Sequence, residues 1–327
     1  MPSITVAIHN AGVDARRVMA DEVARGLSST PKQIPSRYFY DARGCELFDS
    51  ITELPEYYLT RAETEILSRH ADRVMSHGHP SALVELGAGS CAKSRILIEA
   101  GLRSGDLERF VPFDISEGAI LNCAHDLVGR YPGLRIHGLV GDFAEHVRSI
   151  PRLGRQLVLF LGSTIGNLEE ADRARFLAEV RSLLEPEDRF LLGVDLVKDE
   201  WELRAAYNDV RGVTADFNLN VLRVLNRELG ADFDVAEFEH VAIYDREAHR
   251  VEMNLRARHA QEVEVPAAGC RIAIAQGECL RTEISTKFTY ELTRDFLAGA
   301  DMELRSWLTD DHGRFGIAIA SPRGSAA

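Results

Sequence analysis

The sequence predicts an α/β protein: a largely parallel sheet with helices on both faces, carrying a second, smaller α+β unit. Three observations predict it. Short apolar runs alternate with helical stretches from SALVEL (81–86) to RFLLGVD (189–195), and that alternation requires crossover helices between parallel strands. After Asp195 the pattern changes to long helical stretches and then to HVAIYD and RVEMNLRARHA, two alternating runs about a turn at 246–249, the mark of an antiparallel hairpin. The 327 residues are enough chain for about two domains.

Taken in order, residues 12–28 read as an amphipathic helix and TPKQIPSRYFYDARG (30–44) as a proline-punctuated aromatic loop. A second helix over 61–77 leads into SALVEL, a buried strand bounded by Pro80 and Gly87. FVPFD (110–114), RIHGLVGDF (135–143), QLVLFLG (156–162) and RFLLGVD (189–195) are the next four strands, each preceded by a stretch of crossover length. Residues 199–239 read as largely helical. Near the end, a helix (YELTRDFLAGA) precedes MELRSWLTDDHGRFGIAIAS, two strands about a D-D-H-G turn suited to antiparallel pairing at a sheet edge, and SPRGSAA reads as a frayed tail.

Composition narrows the function. Hydrophobic residues are 45% and charged residues 27%, while 25 glycines and 11 prolines are too few for a disordered or collagenous chain. A net charge of -13 repels phosphate backbones and anionic bilayers, so neither nucleic acid nor membrane is an expected partner. The N-terminus lacks the pattern of a signal peptide, and no apolar run approaches the roughly 20 residues that cross a bilayer, so a cytoplasmic protein is expected. Five cysteines without a C-x-x-C pair predict free thiols in a reducing compartment. Eleven histidines without H-x-x-x-H or H-E-x-x-H predict no metal.

VELGAGS (84–90) sets Gly87 and Gly89 between a strand and a helix, where absent side chains let the backbone approach a ligand. With Ala92 the string satisfies G-x-G-x-x-G/A, so a nicotinamide-dependent oxidoreductase and a plain tight turn both stay open here. Asp114, at the end of the second strand, is placed to accept two ribose hydroxyls, in nicotinamide and S-adenosylmethionine (SAM) sites alike. Asp142 and Phe143 suit an adenine, as hydrogen-bond acceptor and packing surface, although Asp142 also reads as a helix cap. FLAEVRSLLEPEDRFLLGVD resembles the helix, acidic-proline turn and fifth strand of class I SAM-dependent methyltransferases, and the terminal strand pair resembles their closing hairpin. The fourth strand ends in GSTIGN, without the Asn/Asp-Pro-Pro-aromatic loop of many base-methylating enzymes.

YFYD (38–41), LFD with ITELPEYYLTRAE (47–63), FLGSTIGN, VDLVKD, AYND, NVLRVLNREL, FEHVAIYD and RTEISTKF, in that order, resemble the ergothioneine-pathway L-histidine Nα-methyltransferase family from about residue 15 to 320. Leu59 stands where proline is expected and Thr286 where cysteine is common. The resemblance implies a class I, Rossmann-like methyltransferase domain (61–196 plus 287–322) and a substrate-binding domain (8–60 plus 197–286), with the amino acid bound between them. It implies SAM as cofactor and trimethylation of the α-amine of L-histidine to hercynine. A monomer is expected. A silent SAM-binding module and a methyltransferase of another amino acid are the alternatives within this fold.

By resemblance, Asn167 and Tyr207 hold the substrate carboxylate and the main chain of Gly162 touches the amine. No arginine clamp appears in these strings. In RTEISTKF, strand alternation puts Glu283, Ser285 and Lys287 on one face; spacing alone reads this as a solvated face, whereas the resemblance gives Glu283 one imidazole nitrogen and Ser285 the other. Met253 reads as core from its alternation and, by resemblance, packs on the imidazole. Tyr57, Thr214 and Phe217 complete the implied wall. Tyr40 and Lys93 are implied cofactor contacts, with Tyr40 and Asn167 the implied catalytic residues, Tyr40 or a water near it relaying the proton.

Overall fold

The computed structural model describes residues 4–9 and 14–324, apart from the side chains of Phe143 and Ala144. These residues form two compact units: 4–9, 61–196 and 288–324 in the first, 14–60 and 197–287 in the second.

The strands of the first unit begin with β1 (Ile4–Ile8), β2 (Ala82–Leu86), β3 (Arg109–Asp114), β4 (Arg135–Val140), β5 (Gln156–Phe160) and β6 (Arg189–Asp195). The second unit holds β7 (Phe238–Asp245), β8 (Arg250–Ala257), β9 (Gln261–Val265), β10 (Cys270–Ile274) and β11 (Cys279–Thr286), and the chain returns to the first with β12 (Met302–Thr309) and β13 (Phe315–Pro322). The helices are α1 (Ala15–Leu27), α2 (Ala42–Thr52), α3 (Leu59–Ser76), α4 (Ser94–Ser104), α5 (Glu117–Arg130), α6 (Phe143–His146), α7 (Glu170–Leu183), α8 (Glu200–Ala206), α9 (Val213–Leu229) and α10 (Tyr290–Gly299).

Among the described residues, the first unit is built on one eight-stranded sheet in the order β1-β4-β3-β2-β5-β6-β13-β12. β1 to β6 run parallel, and β13 joins β6 and β12 antiparallel. Every residue of β2, β5, β6 and β13 is buried. A strand covered on both faces must be apolar throughout, which is why these elements appear in the sequence as unbroken runs. Their side chains form the core with Phe113, Phe176, Leu177, Val180 and Phe288.

The second unit has a three-stranded antiparallel sheet, β11-β8-β7, and a separate β9-β10 pair. β7 and β8 turn at 246–249, where the sequence predicts the hairpin. α9 buries Phe217, Val221, Leu222, Leu225 and Leu229.

The structure departs from the sequence expectations in five places. Ser321 and Pro322, read above as the start of a frayed tail, are the buried last residues of β13, opposite Glu303 and Met302 of β12. Residues 4–8, left outside the sheet domain above, add β1 to its edge beside β4. Lys287 falls in the second unit, and the first resumes at Phe288, whose N–H donates to Asp195 O (2.8 Å). The 30–44 segment is not all loop: a 3-10 turn (Ser36–Phe39) precedes α2, whose start is capped by Asp41 accepting from Gly44 N (2.8 Å). The fifth departure is in the thiols. Cys91 and Cys123 are joined by a disulfide across 32 residues, with Cα atoms 6.0 Å apart, while Cys45, Cys270 and Cys279 are in no disulfide. The pairing depends on the glycine turn meeting α5 in space, which a count and a spacing rule do not encode.

Glu85, in β2, is 3% exposed and hydrogen bonded to Ser94. Burial pushes its carboxyl up to about 8, against the pull of Ser94 and Lys93. An unfolded glutamate titrates near 4.3, so between that value and about 8 the folded chain keeps a proton that the unfolded chain has lost. Stability therefore falls as pH rises through this window. Glu85→Gln keeps the shape without the ionisation. We predict that its melting temperature, relative to the parent, rises between pH 5 and pH 9; an identical difference at both pH values would show that Glu85 does not titrate there.

Candidate active site

In the first unit, β2 and β5 are neighbours, yet β2 leads on to β3 on one side and β5 to β6 on the other. Strand order reverses at this point, and the loops leaving the two carboxyl ends part to leave a ligand crevice. The loop after β2 carries Gly87 and Gly89 at φ +71° and +49°, a region open to glycine at little cost. A Cβ at either would project into open space. Gly87 N–H donates to Phe113 O (2.8 Å), and Gly89 N–H to Asp114 Oδ2 (3.0 Å). Asp114 Oδ1 accepts from Ser116 N (2.9 Å). A carboxylate offers about four lone-pair sites, so Asp114 can hold the loop and still accept the two hydroxyls of a ribose. The residues present thus fit an adenosyl cofactor.

Asp142 stands before α6, its carbonyl accepting from Glu145 N (3.1 Å) and His146 N (2.8 Å). Phe143 opens that helix, but its side chain lies outside the described residues. Lys93, after the glycine turn, forms an ion pair with Glu63 of α3, a carboxylate with 1% of its side chain exposed. Gly162, beyond β5, donates its N–H to both Glu63 oxygens (2.9 and 3.0 Å). Gly162 and Ser163 lie at φ +74° and +58°, two successive left-handed residues; the conformation costs the glycine little and strains Ser163, and such strain gathers where a loop serves a ligand. Ser163 Oγ accepts from Asp195 N (2.9 Å), and Asn167 closes the 3-10 turn that follows, half-buried.

The second unit gathers the other candidates. An aromatic series runs through Phe39, Phe217, Tyr40, Phe48, Tyr57 and Tyr207, with ring centroids 4.6–6.5 Å apart between successive members. Tyr57, Tyr207, Thr214, Phe217, Met253 and Ser285 are buried. Asp41, next to Tyr40, is tied to α9 by Asn220 Nδ2 (2.8 Å) and Arg227 Nη1 (2.9 Å). Although 37% of Tyr40 is exposed, the protein packed about its hydroxyl, with Glu283 nearby, holds the phenol well above its ordinary value. Tyr40 is thus a neutral hydroxyl at physiological pH, a donor rather than an anionic base. Asp209 accepts from Val213 N (3.0 Å) and Thr214 N (2.7 Å), fixing the start of α9.

On β11, Glu283 lies opposite Met253 of β8 and Ser285 opposite Val251. Directly opposed residues share a face, so Glu283, Ser285 and Met253 face the same way. Burial pushes the Glu283 carboxyl up to about 7, against the pull of Lys287. Ser285 Oγ and Tyr207 Oη are 2.8 Å apart.

Four residues that sequence reasoning missed hold this arrangement. Glu63 reads in RAETEIL as part of an amphipathic helix, with no local sign of its long-range role. Asn218, fully buried, donates to His240 Nδ1 (2.8 Å) and Asn254 O (3.1 Å) and accepts from Thr282 Oγ1 (2.6 Å). Burial keeps His240 neutral, so with Nδ1 accepting, its Nε2–H donates to Tyr207 O (2.8 Å). Lys287 reads as the outer end of a polar strand face, and is fully buried. Among the described residues, no group of three or more His, Cys, Asp or Glu is arranged to hold a metal, and no helix is long and apolar enough to cross a membrane.

The family model for SAM-dependent, histidine-specific methyltransferases matches residues 19–322. The chain is 45% identical over 318 residues to the histidine N-alpha-methyltransferase of Mycolicibacterium smegmatis, covering 97% of this chain and 99% of that one. It is 46% identical over 319 residues to the protein of the same name from Mycobacterium tuberculosis, with the same coverage. Ergothioneine biosynthesis protein 1 of Schizosaccharomyces pombe is 28% identical over 286 residues, covering 84% of this chain and 37% of that one. Matched by the family model over residues 19–322 and by the two mycobacterial relatives over 97% of its length, the chain belongs to the SAM-dependent, histidine-specific methyltransferase family.

Proposed function

We propose that this protein transfers methyl groups from SAM to the α-amine of L-histidine until the nitrogen is trimethylated, giving hercynine, the first step of ergothioneine biosynthesis. The observation that carries the reading is the pair Glu283 and Ser285, side by side on β11 with Met253 opposite: a hydrogen-bond acceptor, a hydroxyl and a thioether suited to the edge and face of an imidazole. A net charge of -13 further favours a small free amino acid over nucleic acid.

Bound SAM supplies an electrophilic methyl group on a sulfonium. The chain's own residues bind and align. Asp114 takes the ribose hydroxyls, Gly87 and Gly89 admit the cofactor, and Asp142, Phe143, Lys93 and Tyr40 are its further proposed contacts. Gly162 spends its N–H on Glu63, which leaves its carbonyl to accept from the substrate amine and turn the nitrogen lone pair toward the methyl. Asn167 and Tyr207 anchor the carboxylate. Glu283 accepts from one ring nitrogen and Ser285 bonds the other, while Tyr57, Thr214, Phe217 and Met253 form the wall. Tyr40 donates or relays as a neutral hydroxyl. In-line attack by an amine needs no strong base once the amine has lost its proton, so positioning carries most of the rate, up to roughly 7–11 kcal/mol in favourable systems.

The direct test is mass spectrometry of purified protein given SAM and the twenty amino acids. We expect histidine to be consumed and to gain three methyl groups; methylation of a different amino acid, or of none, would end the proposal. Asp114→Asn should weaken SAM by the roughly 1.5–3 kcal/mol of a charged-acceptor hydrogen bond, read by calorimetry; unchanged affinity would remove Asp114 from the cofactor site.

Specificity gives the third expectation. A site that hydrogen bonds a ring nitrogen can reject an apolar ring by about 10⁴ or more, whereas a hydrophobic slot separates similar shapes by about 10–200-fold. Glu283→Ala should therefore lower the ratio of kcat/KM for histidine to that for phenylalanine, and a constant ratio would reduce Glu283 to a strand residue. Glu283 also sets a pH limb. With its carboxyl pushed up to about 7, the ionised acceptor appears as pH rises through that value, so kcat/KM for histidine should rise there, and Glu283→Gln should flatten that limb.

A further inference from the structure

Lys287 directly follows β11 and is fully buried. Its Nζ donates to Tyr207 Oη (2.9 Å) and Ser285 Oγ (2.8 Å) and lies 4.5 Å from the Tyr207 ring centroid. Its main-chain N–H is held by His249 O (2.7 Å), so the side chain leaves a fixed backbone. Taking an ammonium out of water is costly, and for fold stability alone an apolar side chain of similar volume commonly serves as well or better. What bears on the site is where this ammonium donates: to two hydroxyls, those of Tyr207 and Ser285, that are both candidate substrate contacts. An ammonium can only donate. A phenol oxygen that accepts from it is drained of electron density, and its own O–H becomes a stronger donor toward an anion. The strings that resemble the family show no arginine clamp for the substrate carboxylate, and the cation sits here instead, one hydroxyl removed.

We propose that Lys287 is a positioning residue for the substrate α-carboxylate, supplying the positive charge of the amino-acid site through Tyr207. The proposal rests on the reading of Tyr207 as a carboxylate anchor. Through Ser285 the same ammonium also orients the hydroxyl next to Glu283, so one cation organises both ends of the substrate.

The test is calorimetry on the full-length protein loaded with S-adenosylhomocysteine, so that nothing turns over, with L-histidine and L-histidinamide as ligands. Lys287→Met should weaken histidine by at least about tenfold and histidinamide by less than about threefold, with S-adenosylhomocysteine affinity unchanged. Lys287→Arg should recover part of the loss. If Lys287→Met does not fold, Lys287→Gln, which keeps a donor and loses the charge, carries the same comparison. Equal losses for the two ligands, or none, would overturn the proposal. Tyr207→Phe separates the two ideas: if it weakens histidine selectively while the Lys287 variants do not, the anchor stands and the role of Lys287 falls. If Tyr207→Phe leaves histidine binding unchanged, the anchor itself falls, and Lys287 has no carboxylate to act on through it.

Discussion

In the first unit, one buried carboxylate ties together the two loops that part at the switch point. A switch point in a doubly wound sheet sends two loops in opposite directions, and nothing in strand pairing fixes their spacing beyond the last ladder bond. Glu63 supplies that constraint. It arrives from α3, is almost wholly buried, and takes the Gly162 N–H of one loop and the Lys93 ammonium of the other. Removing one partner of a buried ion pair costs roughly 3–5 kcal/mol because the other is left unpaired, so the two loops are held together by a penalty on parting. The demand reaches β6, where a Cβ on Gly193 would stand 2.1 Å from Glu63 Oε1. Glycine in the middle of a buried strand, a weak choice on propensity alone, is what the carboxylate requires.

This bears on how far the molecule could be read from its residues. The alternating sheet was legible because strands buried on both faces must be written as apolar runs, and QLVLF admits few other readings. The β7–β8 hairpin was legible because its turn interrupts two periodic runs. The Glu283–Ser285 juxtaposition also follows from period-two alternation, and it survives because the register irregularity in β11 lies between Arg281 and Glu283, before the pair. What escaped depends on long-range meeting. β1 is five residues long and has meaning only beside β4. Cys91 and Cys123 are ordinary core thiols until the glycine turn and α5 come together. Asn218 and His240 lie on different elements, and their joint role in fixing the Tyr207 main chain is a property of three-dimensional placement. Lys287 is the clearest case, since alternation puts it on the correct face but says nothing of whether water reaches it.

The same alternation separates Glu283 from Lys287 by one residue of the same face, Ser285. Glu283 and Lys287 share a strand face, and a direct ion pair would draw the carboxyl well below its ordinary range. Its value near 7 shows that burial outweighs the attraction. Ser285 stands between them, and the ammonium is turned onto the hydroxyls of Ser285 and Tyr207 instead. The result is a strip with an acceptor at one end, a cation at the other and neutral hydroxyls between. Such a strip would suit the proposed substrate, polar at both ends with a ring face between them, and the aromatic series through Phe217, Tyr57 and Tyr207 would offer a surface for that face. On the proposed assignment, selectivity would come from the difficulty of satisfying both ends at once. A ring without nitrogen would then leave the Glu283 carboxyl without its partner, and a group without a carboxylate would leave the hydroxyl beside Lys287 with nothing negative to meet.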